Sequence, residues 1–163
     1  TAALAGTYQV TKPIIDEINI RNANLARGEV LPQGEGAFTQ LETELAPGIL
    51  EVYVADNKTG YVFTAQDKGF GGKVTVMVGV NENGEITGVK VTKHAETPGL
   101  GTKAMTKEYL AQYLGQVAVT RSNESDKTQI DAVTGATVSS NAIFRAVDAA
   151  LHNLKRWEVA GNE

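Results

Sequence analysis

The chain has no cysteine and only two histidines, His94 and His152, in 163 residues. That excludes disulfides, thiol nucleophiles and thiolate metal sites, and two histidines alone do not make a metal centre. The missing cysteine also removes the usual clue to redox compartment. No run of about 18 apolar residues is present, so no stretch reads as a transmembrane helix, and no signal-peptide pattern opens the sequence. Positive charge is not in excess: 15 Lys and Arg stand against 19 Asp and Glu, a formal net charge of −4. A broad electrostatic grip on nucleic acid or anionic lipid needs concentrated basic residues, and the short Lys155-Arg156 pair does not supply them. Paired carboxylates at a catalytic spacing, a Ser-His-Asp arrangement and a dinucleotide-binding glycine fingerprint are also missing. No catalytic residue and no metal ligand is therefore assigned.

What is present is a composition of 42% hydrophobic and 21% charged residues, which at this length implies one globular domain with a single core. "GILEVYVADNKTGYVFTAQ" gives two β-rich runs around Asp56-Asn57-Lys58-Thr59-Gly60, a loop of turn formers, and so predicts a hairpin. In "GGKVTVMVGVNENGEITGVKVTKH" Val74, Val76, Val78 and Val80 alternate onto one face, Asn83-Gly84 supplies the positive φ angles of a tight turn, and Ile86, Val89 and Val91 continue the next strand. The four strands predict an antiparallel sheet with one buried face. "KAMTKEYLAQYLGQ", with Met105, Tyr109, Leu110 and Tyr113 near helical spacing, predicts a short helix ended by Gly115. After a polar loop, "TRSNESDKTQI", the run "SSNAIFRAVDAALHNLKRW" places Ile143, Val147, Ala150, Leu151 and Leu154 on one helical stripe. The fold class is α+β: an antiparallel sheet of two hairpins packed against helices. At the N-terminus Ile14, Ile18, Ile20 and Leu25 recur at roughly helical spacing in "VTKPIIDEINIRNANLARGEV", which fits a surface helix of the domain or the stub of an upstream anchor equally well.

The densest polar signal is "DAVTGATVSS", Asp131 to Ser140, with four hydroxyls just ahead of the last helix. Ser139 or Ser140 as an N-cap explains one or two of them. Capping does not explain Thr134-Gly135-Ala136-Thr137, where small residues let a ligand approach the backbone. Free amides and partial positive charge at a helix start favour a phosphate there. Capping and phosphate contact both stay open on these residues alone.

The stretch resembles the flavinylation motif of the FMN-binding domains found in the G subunit of the Rnf electron-transport complex and the C subunit of the Na+-translocating NADH:quinone reductase. Asp131, Thr134, Gly135, Ala136 and Thr137 match that motif in order, with Thr134 where the family often has Ser. "HAETPGLGTK", His94 to Lys103, is similar to the family's segment beside the flavin, and its Pro98-Gly99 suits the centre of a type II turn. The glycine and aromatic rhythm of residues 60–80 follows the family as well, so the likeness spans roughly Val52 to Leu151; within it "GFGGK" reads only as a glycine-rich strand entrance.

The resemblance implies FMN joined through a phosphoester to Thr137, with Glu96, Thr97, Gly99, Leu100, Gly101, Lys103, Thr134, Gly135 and Ala136 around the cofactor. Asp131 would orient the loop or be read by the flavin transferase that attaches the group, and His94 reads as a strand-end residue. It implies electron transfer in place of independent substrate chemistry, on the extracytoplasmic face of a bacterial membrane, alongside the other membrane subunits of an Rnf-type complex. The family's N-terminal membrane helix is not in this chain, so residues 1–30 are expected to be the stub after a removed anchor and 31–163 the FMN-binding domain. The compact segments between motifs favour the Rnf protein over its quinone-reductase counterpart. Two other readings are a different flavinylated redox module and, in another class, a noncovalent ligand-binding or scaffold domain whose hydroxyl loop merely caps a helix.

Overall fold

The structure, a computed structural model, describes residues 2–122 and 127–160. Five strands form one antiparallel sheet in chain order: β1 (Phe38–Gln40), β2 (Ile49–Ala55), β3 (Gly60–Lys68), β4 (Lys73–Asn81) and β5 (Ile86–Lys93). Both expected hairpins, β2–β3 and β4–β5, are there, and β1 adds a fifth strand. Three residues without alternation carry no strand signal of their own; β1 exists because Phe38 and Gln40 pair with Ala55 and Tyr53 of β2.

The turns differ in detail from expectation. In the second hairpin Gly84 alone is left-handed, at φ 79°. The Asn81 side chain closes the loop, its Oδ1 accepting from Asn83 N at 2.9 Å and Glu85 N at 3.0 Å, an Asx arrangement in place of a two-residue turn. In the first hairpin the left-handed residue is Lys58, at φ 58°. The uneven spacing of Ile86, Val89 and Val91 follows from a register shift: Val80 pairs with Ile86 but Gly79 with Gly88 and Val78 with Val89, so a bulge at Thr87 returns the valines to the same face.

The expected single buried face is overturned, because this sheet is covered on both sides. On one side lies α3 (Thr137–Ala160), whose Ile143, Val147, Ala150, Leu151 and Leu154 pack with Val74, Val76, Val78, Val80 and Phe63. Phe63 is fully buried and stacks on Trp157 with ring centroids 5.7 Å apart. On the other side the end of α1 (Ala2–Val30) and a 3-10 turn at Pro32–Gly34 bring Val30 and Leu31 against Val62, Met77 and Ala55. This second cluster was invisible because Met77 and Gly79 stand between valines of the obvious stripe.

Gly79 and Gly88 are cross-strand partners and form the slot that receives Val30. A Cβ on Gly88 would lie 2.6 Å from Val30 Cα, and one on Gly79 would run into the Val30 carbonyl oxygen, which accepts from Thr87 Oγ1 at 2.5 Å. Nearby, the buried Arg27 guanidinium sits 3.4 Å over the Tyr53 ring and 3.7 Å from Glu51. Further back, Ile14, Ile18, Ile20 and Leu25 are exposed, so this stripe is not packed on the domain. Gly79→Ala should therefore destabilise by about 1–3 kcal/mol through overpacking. Gly28→Ala, with its nearest neighbour at 3.9 Å inside a helix, should instead stabilise by about 0.5–1 kcal/mol. Opposite shifts of the two urea midpoints check this pair.

The segment expected to be one short helix is three tight turns: a 3-10 turn at Gly101–Met105, α2 (Lys107–Leu110) and a second 3-10 turn at Ala111–Tyr113, closed by Gly115 at φ 77°. Thr106 caps α2 by accepting from Tyr109 N at 3.2 Å. Gly115 and Gln116 then pair with Ile86 on β5, and this tertiary demand ends the helix early. The "polar loop" after it carries a two-residue parallel ladder, β6 (Val119–Thr120) with β7 (Thr128–Gln129). Residues 123–126 of that loop lie outside the described residues.

Tyr113 is fully buried, its ring 6.2 Å from that of Tyr109. Burial, with Tyr109 beside it, pushes its phenol well above the ordinary value of 10.0. Below that value the phenol is protonated in folded and unfolded chains alike; above it only the unfolded chain ionises, so stability falls as pH rises. The slope contributed by this residue approaches about 1.4 kcal/mol per pH unit, and Tyr113→Phe should abolish it. Urea midpoints for both proteins on either side of about pH 10 give the comparison.

Candidate functional site

The two sequence motifs have 27 residues between them, 104–130, and meet at the start of α3. "DAVTGAT" runs straight into that helix: Ala136 N donates to Val133 O at 2.9 Å, and the first backbone bond into the helix is Ser140 N to Ala136 O, also 2.9 Å. The amides of Thr137, Val138 and Ser139 are thus the free donors every helix start leaves, and among the described residues none of them has an acceptor. Gly135 makes the bend at φ 80°, and a Cβ there would meet nothing within 4 Å, so its freedom of conformation is what the turn requires. Ala136 is small for another reason, since it is buried in the core. Thr137 is exposed in the first turn of α3.

Neither serine caps a helix amide. Ser140 Oγ accepts from the loop amide of Val133 at 3.1 Å, and Ser139 Oγ donates to Glu96 Oε2. Both hydroxyls are buried and tie the motif to its surroundings.

The second motif forms the expected turn: Leu100 N bonds Thr97 O at 3.2 Å, with Gly99 at φ 78°. Gly99 N also bonds Thr102 Oγ1 at 2.9 Å. His94 follows the end of β5, and its Nδ1 accepts from Glu96 N at 3.2 Å. Glu96 is only 5% exposed, and its carboxylate turns inward: Oε1 accepts from Gly71 N at 3.0 Å while Oε2 takes the Ser139 hydroxyl.

A cavity of about 320 Å³ lies between the motifs. Of the expected residues it brings together Glu96, Thr97, Leu100, Gly101, Gly135, Ala136 and Thr137. Gly99, Lys103, Thr134 and Asp131 are outside its lining; all four are exposed, and Asp131 is held by its backbone, N–H to Gln112 Oε1 at 3.1 Å. Three further lining residues were not read as part of a site: Phe70, Val138 and Ser139. The available signal for Phe70 was an aromatic between glycines, and for Ser139 its place two residues after Thr137. A larger cleft of about 750 Å³ runs beside β5, but neither the Thr137 loop nor the Thr97–Gly101 turn reaches it.

These residues fit a flavin mononucleotide. Free amides at the helix start match a phosphate, an exposed hydroxyl adjoins them, and the rim carries large apolar side chains open to solvent, Phe70 at 77%, Leu100 at 55% and Val138 at 47%. The cavity size lies in the range of small-molecule sites, about 300–1,000 Å³. Among the described residues no acidic and histidine cluster could hold a metal, and no helix is long and apolar enough to cross a membrane.

The FMN-binding domain family matches residues 69–152. The G subunit of the Na(+)-translocating ferredoxin:NAD(+) oxidoreductase complex of Acetobacterium woodii is 32% identical, over 91% of this chain and 82% of its own length. The G subunit of the ion-translocating oxidoreductase complex of Methanosarcina acetivorans is 30% identical, over 96% and 88%. Among solved structures, NqrC of Shewanella oneidensis superposes with a TM-score of 0.50 at 22% identity, over 75% of this chain and 65% of that one. The C subunit of the Na(+)-translocating NADH-quinone reductase of Parabacteroides distasonis gives 0.54 at 15% identity, over 80% and 92%. At such identities these two likenesses are of fold alone. With the motifs converging on one cavity and these matches in hand, the chain belongs to the FMN-binding domain family, in the group whose curated relatives are G subunits of ion-translocating oxidoreductase complexes.

Proposed function

We propose that this chain is an electron-transfer flavoprotein, the G subunit of a membrane ion-translocating ferredoxin:NAD oxidoreductase (Rnf) complex, with FMN held by a phosphoester bond to Thr137. The observation that carries the reading is the meeting of Thr137, three free helix amides and the Thr97–Gly101 turn around one cavity. The amides of Thr137, Val138 and Ser139 would hold the phosphate, and Leu100, Val138 and Phe70 would pack on the ring system. Bound FMN supplies reversible acceptance and release of electrons; the protein binds it, orients it and sets its exposure.

A covalent ester has a physical rationale here. A phosphate diester keeps one negative charge, which still suits a helix start. The tether also holds the cofactor at high effective concentration however weak the other contacts are, an advantage on the extracytoplasmic side, where we place the domain and where lost FMN is not readily replaced. The flavin transferase that forms the ester and the other membrane subunits of the complex are the partners this reading requires. Residues 1–30 would then follow a membrane anchor and lead into the domain of 31–163, with Arg27 and Val30 at their end already packed on its sheet. Coexpression with a flavin transferase, followed by ultraviolet fluorescence of the denatured chain on a gel and peptide mapping, tests the assignment. The expected band carries flavin on the peptide containing Thr137; a fluorescent chain with the flavin mapped to another residue overturns the site.

A further inference from the structure

We propose that Glu96 is a positioning residue which locks the Phe70 loop to the start of α3, and that Phe70, so placed, is the aromatic wall against the flavin ring. The ring half rests on the flavin reading above; the coupling half does not.

Glu96 is buried and both of its oxygens are used, one by the Gly71 amide at 3.0 Å and the other by the Ser139 hydroxyl. These bonds join segments 25 and 43 residues away in sequence. A buried carboxylate with each oxygen held by the scaffold is better placed as a strut than as a direct ligand for a flavin. The space around it is closed by glycines: a Cβ on Gly69 would strike Glu96 Oε1, one on Gly101 would strike Oε2 and lie 2.7 Å from Ser139 Oγ, and one on Gly71 would strike the Ala95 carbonyl. The loop is also shut on itself, Gly69 N to Gly72 O at 2.7 Å. With glycines on either side packed against Glu96 and Ala95, Phe70 points outward, 77% exposed, on the rim of the cavity that holds Thr137. An isolated exposed phenylalanine needs no explanation. One fixed by a buried carboxylate beside an apolar-rimmed cavity is suited to offset stacking on a planar ring.

Two measurements test this. In flavin-free protein, Glu96→Ala should speed NMR-detected hydrogen exchange of the Gly71 amide and of the Ser140 amide, the first one bonded into α3, together, severalfold, and Glu96→Gln, which keeps an acceptor for Gly71 and a partner for Ser139, should restore most of the protection. Unchanged exchange at Gly71 in Glu96→Ala overturns the coupling. In flavin-loaded protein, Phe70→Trp puts an electron-rich indole at the rim and should shorten the flavin fluorescence lifetime severalfold relative to Phe70→Leu. Adding Glu96→Ala to Phe70→Trp should relieve that quenching, and adding Glu96→Gln should not. Equal lifetimes for Phe70→Trp and Phe70→Leu overturn the placement of Phe70. If the parent chain takes up no flavin from its transferase, the flavin reading and the Phe70 half fall together, while the exchange data still decide the strut.

Discussion

Thr137→Ala should remove the covalent flavin adduct completely and leave the fold in place. The side chain is exposed, and its hydroxyl makes no hydrogen bond among the described residues, so nothing structural depends on it. Alanine is the best helix former, and the position opens α3, so the change in stability should stay within about 0.5 kcal/mol. Intact mass after coexpression with a flavin transferase reads the adduct directly, and circular dichroism reads the fold. Thr134→Ala is the companion variant: Thr134 belongs to the same motif and is exposed three residues earlier but lies outside the cavity lining, so its removal should at most lower attachment by the transferase, with any adduct still mapping to Thr137. An adduct at parental level in Thr137→Ala, or its loss only in Thr134→Ala, would show that the ester sits elsewhere.

Phe63→Ala should give the largest loss of stability, about 3–5 kcal/mol. Phe63 has no exposed surface, lies in the main core between β3 and α3, and stacks on Trp157 with rings 29° from parallel. Truncation removes the transfer energy of the ring and leaves a cavity that close-packed neighbours such as Val52 and Val76 fill only in part. Against a total of about 5–15 kcal/mol for a native domain, that is a large share. The urea midpoint should fall sharply with little change in slope. Trp157, the single tryptophan, should report the same transition and lose much of its near-ultraviolet signal before unfolding.

The hairpins were legible because Val74, Val76, Val78 and Val80 alternate without interruption, and the last helix because its apolar stripe runs over several turns. The two site motifs were legible for a different reason: they resemble segments of a known family, whereas on their residues alone helix capping and a plain type II turn stayed open. What could not be read depends on contacts distant in sequence. Whether the sheet is covered twice is decided by Val30 and Leu31 reaching Met77 and Val62. The break of the middle helix is decided by Gly115 and Gln116 pairing with Ile86. Ser139 and Ser140 look like caps in sequence, yet Ser139 finds the buried Glu96 carboxylate and Ser140 the loop amide of Val133 in place of a helix amide. Glu96 reads as a ligand because it stands in the flavin-side motif; only the fold reveals that its charge is turned away from solvent. Phe70 was passed over because an aromatic between glycines means little until the loop is known to border Thr137.

The slot made by Gly79 and Gly88 has a mechanical consequence. Since the last turn of α1 is keyed into two strands at Val30, the junction cannot behave as a slack hinge. Adding or deleting one residue there would swing the preceding helix by about 100° about its axis, with no spare chain to absorb it. Whatever is attached upstream therefore shares a frame of reference with β4, and through β4 with the opposite layer that bears Thr137.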